Sequence, residues 1–219
     1  MPLITWNSKD LTANVVLSNN DLTATWTSTN GGGRNTHSKN NGKWYLEIKI
    51  QDIGNERRRN FAVGVTDQRE NTSTAISNSR GSYHRDTWKI GTIVGIALDI
   101  ENNTVFFYEN GEYIDNLSIS QLDEEKYIAF ITPSLSNRRQ ITANFGAEEF
   151  DIVKSNPNNW EQLIYENFLP YDIDNAEWFS PIKINNFTVD YDNQYKTTAS
   201  IVSEETDIKY KLFVNGNQV

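Results

Sequence analysis

Residues 43–51 read Lys43-Trp44-Tyr45-Leu46-Glu47-Ile48-Lys49-Ile50-Gln51. In an extended chain Trp44, Leu46, Ile48 and Ile50 fall on one side, and Tyr45, Glu47, Lys49 and Gln51 on the other. This period of two is what a strand with one buried face requires, because successive side chains leave a pleated backbone on opposite sides. Asn41-Gly42 precedes the run, a pair suited to turns that need positive φ. The same period recurs outward from here. Residues 60–66 place Phe61, Val63 and Val65 together, and residues 93–99 place Val94, Ile96 and Leu98 together. In residues 104–108, Val105 and Phe107 share one face while Phe106 and Tyr108 share the other, so both faces of that strand are expected to be partly covered.

Turn residues separate these runs. Asn102-Asn103 joins 93–100 to 104–109 as a tight hairpin, and Asn110-Gly111 turns the chain into Glu112-Tyr113-Ile114. Short runs near 13–17 and 22–26 read as another hairpin through Ser18-Asn19-Asn20-Asp21. Runs near 126–132 and 139–145 read as late strands of the same sheet system. Many short strands with almost no helical period specify an all-β chain folded as a two-layer antiparallel β-sandwich.

The composition shifts after about residue 150. Ser155-Asn156-Pro157-Asn158-Asn159 reads as a break, and 158–168 as one short helix with Trp160, Leu163, Ile164 and Phe168 on a face. Residues 170–180, acidic and aromatic, read as a loop. Strand patterns return at 182–189, 197–203 and 208–214. The expected organisation is a sandwich over 1–150, a linker with a short helix over 151–181, and a small β-rich extension over 182–219. Three strands make a marginal core, so the extension is expected to pack on the sandwich, to pair with another chain or to belong to something longer.

Bulk chemistry narrows the function. The 219 residues include 6 Trp, 10 Tyr and 10 Phe, ample for a packed core. A net charge of −9 argues against a sequence-independent grip on nucleic acid, which needs clustered Lys and Arg, and against anionic lipid surfaces. With no cysteine, thiolate catalysis and disulfide frameworks are excluded. No run approaches the roughly 18 apolar residues of a membrane-spanning helix, so no membrane insertion is expected. Met1-Pro2-Leu3-Ile4-Thr5-Trp6-Asn7 lacks a basic region followed by an apolar run, so no signal peptide is expected.

Four blocks together resemble the SPRY domain family: Asn41-Gly42-Lys43-Trp44-Tyr45-Leu46-Glu47-Ile48, Phe61-Ala62-Val63-Gly64-Val65, the pair 91–100 and 104–111, and Pro133-Ser134-Leu135 with Ala143-Asn144-Phe145-Gly146. The resemblance covers roughly residues 5–150. It implies a SPRY-like sandwich that binds a partner through loops at one rim. The lead-in from Thr5-Trp6-Asn7 to Leu22-Thr23-Ala24-Thr25 resembles bacterial and bacteriophage members. This implies a virion component of a phage tail or baseplate, made in the bacterial cytoplasm before assembly. Its partners would be other tail or baseplate proteins, a bacterial cell-surface protein or glycan, or further copies of itself within the assembly. An intracellular adaptor that recruits a protein partner is the alternative, and a carbohydrate-active enzyme a more distant one. The tail from 182 resembles the beginning of an immunoglobulin-like or fibronectin-like module.

Three loops carry the expected partner-binding residues: Arg57, Arg58 and Arg59 in the first, Tyr83, His84, Arg85 and Trp88 in the second, and Arg138 and Arg139 in the third. Arg and aromatic residues dominate interface energetics, and Arg forks grip carboxylates. The plainer reading has the arginines keeping a hairpin soluble and Tyr83 and Trp88 completing the core; for Trp88, core packing is the stronger of the two. No catalytic residues, cofactor or metal are expected. His37 and His84 are the only histidines, and neither a Gly-x-Ser-x-Gly nor a His-Glu-x-x-His pattern occurs. Gly31-Gly32-Gly33 reads as a flexible loop, not a phosphate cradle, and Asp172, Asp174 and Glu177 as a solvated acidic loop, since their spacing departs from a calcium loop.

Overall fold

The structure, a computed structural model, describes residues 4–26, 31–53, 62–67, 82–83, 88–123, 125–132, 139–176 and 178–179, together with 190–191, 197–198, 213–214 and 217–218. The backbone alone is described for 82–83, 131–132, 175 and the last four pairs. The chain forms two compact units, Met1–Phe179 and Ser180–Val219. In the second, Asp190–Tyr191 pairs with Thr197–Thr198 and Phe213–Val214 with Asn217–Gln218, both antiparallel. The expected strand at 182–189 lies outside the described residues, as do 199–203 and 208–212 of the two expected strands that follow.

The first unit contains β1 (Trp6–Leu11), β2 (Val15–Ser18), β3 (Thr23–Trp26), β4 (Gly31–Asn35), β5 (Lys43–Asp52), β6 (Ala62–Thr66), β7 (Ser82–Tyr83), β8 (Ile93–Asp99), β9 (Thr104–Glu109), β10 (Glu112–Ser118), β11 (Tyr127–Thr132) and β12 (Arg139–Asn144). Two helices follow, α1 (Ile152–Ser155) and α2 (Pro157–Tyr165), then β13 (Leu169–Pro170) and a 3-10 turn at Ile173–Asn175. Among the described residues one sheet has the order β1-β4-β11-β6-β7. The other runs β10-β9-β8-β5-β12-β3-β2, with β13 added parallel to β5. The β2–β3 hairpin turns through Asn19, Asn20 and Asp21, all at positive φ, and β9–β10 turns through Asn110 and Gly111 at φ 53 and 83. Asn and Gly adopt this region at least cost.

The core between the sheets follows the alternation. Leu46, Ile48 and Ile50 of β5, Val94, Ile96 and Leu98 of β8, and Val105 and Phe107 of β9 are buried, facing Val63 and Val65 of β6. Trp6 and Trp26 both meet Phe130 edge-on, at centroid distances of 4.6 and 5.0 Å, a favoured arrangement of ring quadrupoles. Trp44 packs on this side but is only half-buried, at the end of the strand.

Three expectations are corrected. Gly31-Gly32-Gly33 is not a loop but the start of β4, buried between β1 and β11. A Cβ on Gly33 would lie 2.4 Å from Leu11 Cδ2 and 3.0 Å from Phe130 Cζ, and one on Gly31 2.8 Å from Trp26 Cδ1. The glycines let large core side chains lie directly on the strand.

Second, 151–179 is not a linker but part of the first unit. Asn156 caps α2 by accepting from the Asn159 N–H, with Pro157 preset for the first helical position. Trp160 and Leu163 are buried, whereas Ile164 faces outward at 41 % exposure. Third, the acidic segment is not solvated throughout: Tyr171 and Asp172 are buried, while Asp174 is exposed and Glu177 lies outside the described residues. The Tyr171 hydroxyl donates to the His37 carbonyl at 2.9 Å, and Asp172 Oδ2 accepts from the Ile4 N–H at 2.9 Å.

The outer face of the large sheet is divided. Over β9, β8 and the first half of β5, Tyr45, Ala97 and Tyr108 form a second core with Phe150, Ile152, Trp160, Leu163 and Phe168. The strap from 150 to 168 covers this half. Over the second half of β5 and over β12 and β3 the face is open and polar, carrying Lys49, Gln51, Thr142, Gln140 and Thr25, and at its edge β2 adds the exposed Val16 opposite Thr25.

Candidate functional site

Strand register gathers the ends of several connections at one end of the sandwich. Asp52, at the end of β5, pairs with Gln140 at the start of β12, and Arg139 pairs with Trp26 at the end of β3. In the other sheet Gly31 pairs with Thr132, Ile131 with Ala62, and Val63 with Tyr83. The Trp26 indole N–H spans the two sheets here, donating to the Gly31 carbonyl at 2.9 Å. The flanks of 27–30, 54–61, 84–87 and 133–138 therefore lie together. The turn at 88–92 joins them: the Gly91 N–H donates to the Ile50 carbonyl and the Ile50 N–H to the Thr92 carbonyl, each at 2.8 Å.

This rim sorts the expected binding residues. Arg57, Arg58, Arg59, His84, Arg85 and Arg138 lie outside the described residues, though the residues flanking their segments converge. Tyr83 is in β7 by its backbone. Trp88 and Arg139 are placed differently from a surface role. Trp88 is 7 % exposed and belongs to the core between the sheets, and Arg139 is 5 % exposed on the inward face of β12, opposite Trp26. Both sit beneath the rim, because the alternation of β12 turns Arg139 inward with Ile141 and Ala143.

One rim residue escaped the sequence reading. Ile90 is 66 % exposed, the most exposed large hydrophobic side chain among the described residues. Its signal was an isoleucine in the turn Lys89-Ile90-Gly91, where a polar residue is usual.

The far end is closed by packed charge. Lys39 Nζ lies 3.7 Å from the Trp44 ring centroid and 5.0 Å from that of Tyr171, in cation–π range. Its backbone exchanges hydrogen bonds with Lys126, both 2.8 Å. Arg34 bonds Asp10 and the Asp67 carbonyl. His37 is exposed, its Nδ1 2.9 Å from Thr36 Oγ1.

A groove of about 420 Å³ lies on the open half of the sheet, beside the strap; Glu47, Lys49, Thr142, Asn144, Glu148 and Lys154 are among its lining. Glu47 is its buried ionisable residue, 5 % exposed. Its carboxylate accepts from the Asp151 N–H at 2.7 Å, the Ile152 N–H at 2.9 Å and the Tyr45 hydroxyl at 3.2 Å. Burial pushes this carboxyl up to about 7, although all three donors act to lower it. The same burial raises the Tyr45 hydroxyl well above its ordinary value. Nothing in the sequence marked Glu47, since alternation alone leaves it on a face that reads as solvated.

Among the described residues no group of three or more His, Cys, Asp or Glu is placed to hold a metal ion, and no helix is long and apolar enough to cross a membrane. The arrangement offers a rim with an apolar tip and a polar groove, both suited to contact.

Known proteins are similar in two ways. Residues 68–148 match the SPRY domain family model. The SPRY domain of human HERC1 superposes with a TM-score of 0.51 at 17% identity, over 63% of this chain and 96% of that one. A human SPRY domain gives 0.50 at 17% identity, over 64% and 99%, and the TRIM65 PSpry domain 0.50 at 15%, over 64% and 91%. No curated protein sequence matches. At these identities the structural likeness establishes the fold. Residues 68–148 thus carry the SPRY family pattern, on a β-sandwich that folds as solved SPRY domains do.

Proposed function

We propose that this chain is a noncatalytic binding module that contacts a protein partner through the rim holding Ile90. The observation that carries the reading is the convergence of the flanks of 54–61, 84–87 and 133–138 with the exposed Ile90 turn. Those segments carry Arg57, Arg58, Arg59, His84, Arg85 and Arg138. An exposed aliphatic anchor, with arginines in the connections whose flanks converge on it, has the composition of an interface centre, apolar contact ringed by charge-assisted hydrogen bonds. Buried Trp88 and Arg139 support the rim from below instead of touching the partner. A rigid sandwich with variable connections is also the usual way a scaffold holds contacts without disturbing its core.

The narrower setting we propose is a phage tail, baseplate or related contractile particle, where the rim meets a neighbouring subunit or a cell-surface ligand. It is supported by the resemblance of the lead-in over residues 5–25 to bacterial and phage SPRY proteins. The test has two arms. Affinity capture with the intact chain, followed by Arg58→Glu with Arg138→Glu and separately Ile90→Asp, should lose the partner while the melting temperature stays nearly unchanged. Capture undiminished by both changes would overturn the rim. Recovery of the chain in purified particles supports the particle setting; recovery of one cytosolic partner by a free monomer would replace it with the adaptor reading.

A further inference from the structure

The end of the sandwich opposite the rim holds a cation in a corner of two rings. Lys39 Nζ lies 3.7 Å from the Trp44 ring centroid and 5.0 Å from that of Tyr171. The rings stand 6.4 Å apart with their planes at 66°, so they make two walls and not a stack. Both are fixed by their polar groups. The Trp44 indole N–H donates to the Asn41 carbonyl at 2.6 Å. Gly42, at φ 78, lies against the same ring, where a Cβ would come within 3.3 Å. The Tyr171 hydroxyl donates to the His37 carbonyl at 2.9 Å, and its backbone N–H to the Tyr45 carbonyl at 2.8 Å. Asp172 and Asp174 bring negative charge to the same ammonium. Lys39 and Trp44 are both partly exposed, so the corner opens to water.

Lys39 fills this corner without using what an ammonium ordinarily uses. It carries three N–H donors, yet among the described residues Nζ makes neither a hydrogen bond nor an ion pair, and its close contacts are ring faces. Burial lowers its pKa from the ordinary lysine value, against the pull of Asp172 and Asp174. That is the direction expected where the walls do not fully replace the water stripped from the N–H groups. The backbone of Lys39 is tied to Lys126 by two 2.8 Å hydrogen bonds, whereas its head sits on a flexible four-carbon stem. A cation without N–H groups would meet the same walls and leave no donor unmade. Quaternary ammonium is such a cation, and aromatic faces are a recurring seat for it.

We propose that the corner between Trp44 and Tyr171 is a binding site for a quaternary alkylammonium group, with Lys39 as the chain's own plug. Lys39 swings out on its stem as the ligand enters. Trp44 and Tyr171 hold the cation by their faces, and Asp172 and Asp174 add attraction at longer range. The tethered plug lowers the apparent affinity by the fraction of molecules in which it is in place. Trp44 stands at the start of β5 and Asp52 at its end, so this site and the rim are separate and a ligand here leaves the Ile90 turn free.

Choline tests this, titrated by calorimetry into the intact chain and into Lys39→Ala, with the Trp44 indole N–H followed by NMR. The unmodified protein should bind, and Lys39→Ala should bind about tenfold more tightly. Trp44→Leu, added to Lys39→Ala, keeps apolar bulk but removes the ring, and should weaken binding at least about fivefold. The neutral tert-butyl analogue of choline, with carbon in place of nitrogen, should not compete. Equal binding of that analogue would overturn the site, because the corner would then be reading shape and not charge. So would a Lys39→Ala protein that binds no choline, or choline binding that leaves the Trp44 indole signal unmoved. Binding to Lys39→Ala with none to the unmodified chain would make Lys39 a fixed structural clamp, and would overturn the site as well. If Trp44→Leu fails to fold, the contrast between choline and its neutral analogue and the indole shift decide the matter.

Discussion

The two halves of the large sheet's outer face have the same backbone and the opposite surface. On the covered half, β5, β8 and β9 present Tyr45, Ala97 and Tyr108 to the strap. On the open half, β5, β12 and β3 present Lys49, Thr142, Gln140 and Thr25 to solvent. A single strand, β5, serves both: Tyr45 is buried and, four residues on, Lys49 is exposed. Alternation thus says only which residues share a side. Whether that side is dry is decided by what returns to it more than 100 residues later.

The comparison can be broken by substitution. The largest effect belongs to the strap's own anchor. Trp160→Ala should cost about 3–5 kcal/mol, because an indole 6 % exposed leaves a cavity behind; a loss below about 1 kcal/mol in urea unfolding would mean that the strap merely rests on the sheet. Next comes Gly95→Ala. A Cβ there would stand 2.3 Å from Tyr45 Oη, so overpacking should cost about 1–3 kcal/mol. Combined with Tyr45→Phe the cost should shrink, and a double-mutant cycle reads that coupling. Asn156→Ala removes the cap of α2 and should cost about 1 kcal/mol, with exchange rising first at the start of that helix. Lys49→Gln, on the open half, should change stability by no more than about 0.5 kcal/mol. A large effect of Lys49→Gln would show that the open half is not open in solution.

The frame of the fold was legible because its signals are local. Leu46, Ile48 and Ile50, then Val94, Ile96 and Leu98, declare a strand face without reference to the rest of the chain, and Asn110-Gly111 declares its own turn. Phe106 and Tyr108 even announced a second covered face, though not what covers it. What escaped the sequence depends on distant partners. Gly31-Gly32-Gly33 looks like a loop until Leu11, Trp26 and Phe130 are seen lying where a Cβ would be. Tyr171 and Asp172 look like surface until the carbonyl of His37 and the amide of Ile4 are brought to them. The arginine segments stand out by composition, and their side chains lie outside the described residues. The depth of a side chain below the rim was not legible for Arg139, which was grouped with the residues of the connections, and Ile90 was passed over; for Trp88 core packing was already the stronger reading, and it lies in the core.

The bond between the Ile4 amide and Asp172 has a consequence for the order of assembly and for engineering. It brings the opening and closing segments of the sandwich unit within one hydrogen bond of each other, 168 residues apart in sequence, and β13 adds to β5 across a similarly long separation. Contacts of such range form late, after the loops they close have been shortened by the sheet between them. On a ribosome the unit would wait for its last segment before its first is fixed. The same proximity makes the unit suited to circular permutation, with a short linker joining the two segments and new ends opened in an exposed turn such as the one at Lys89-Ile90-Gly91.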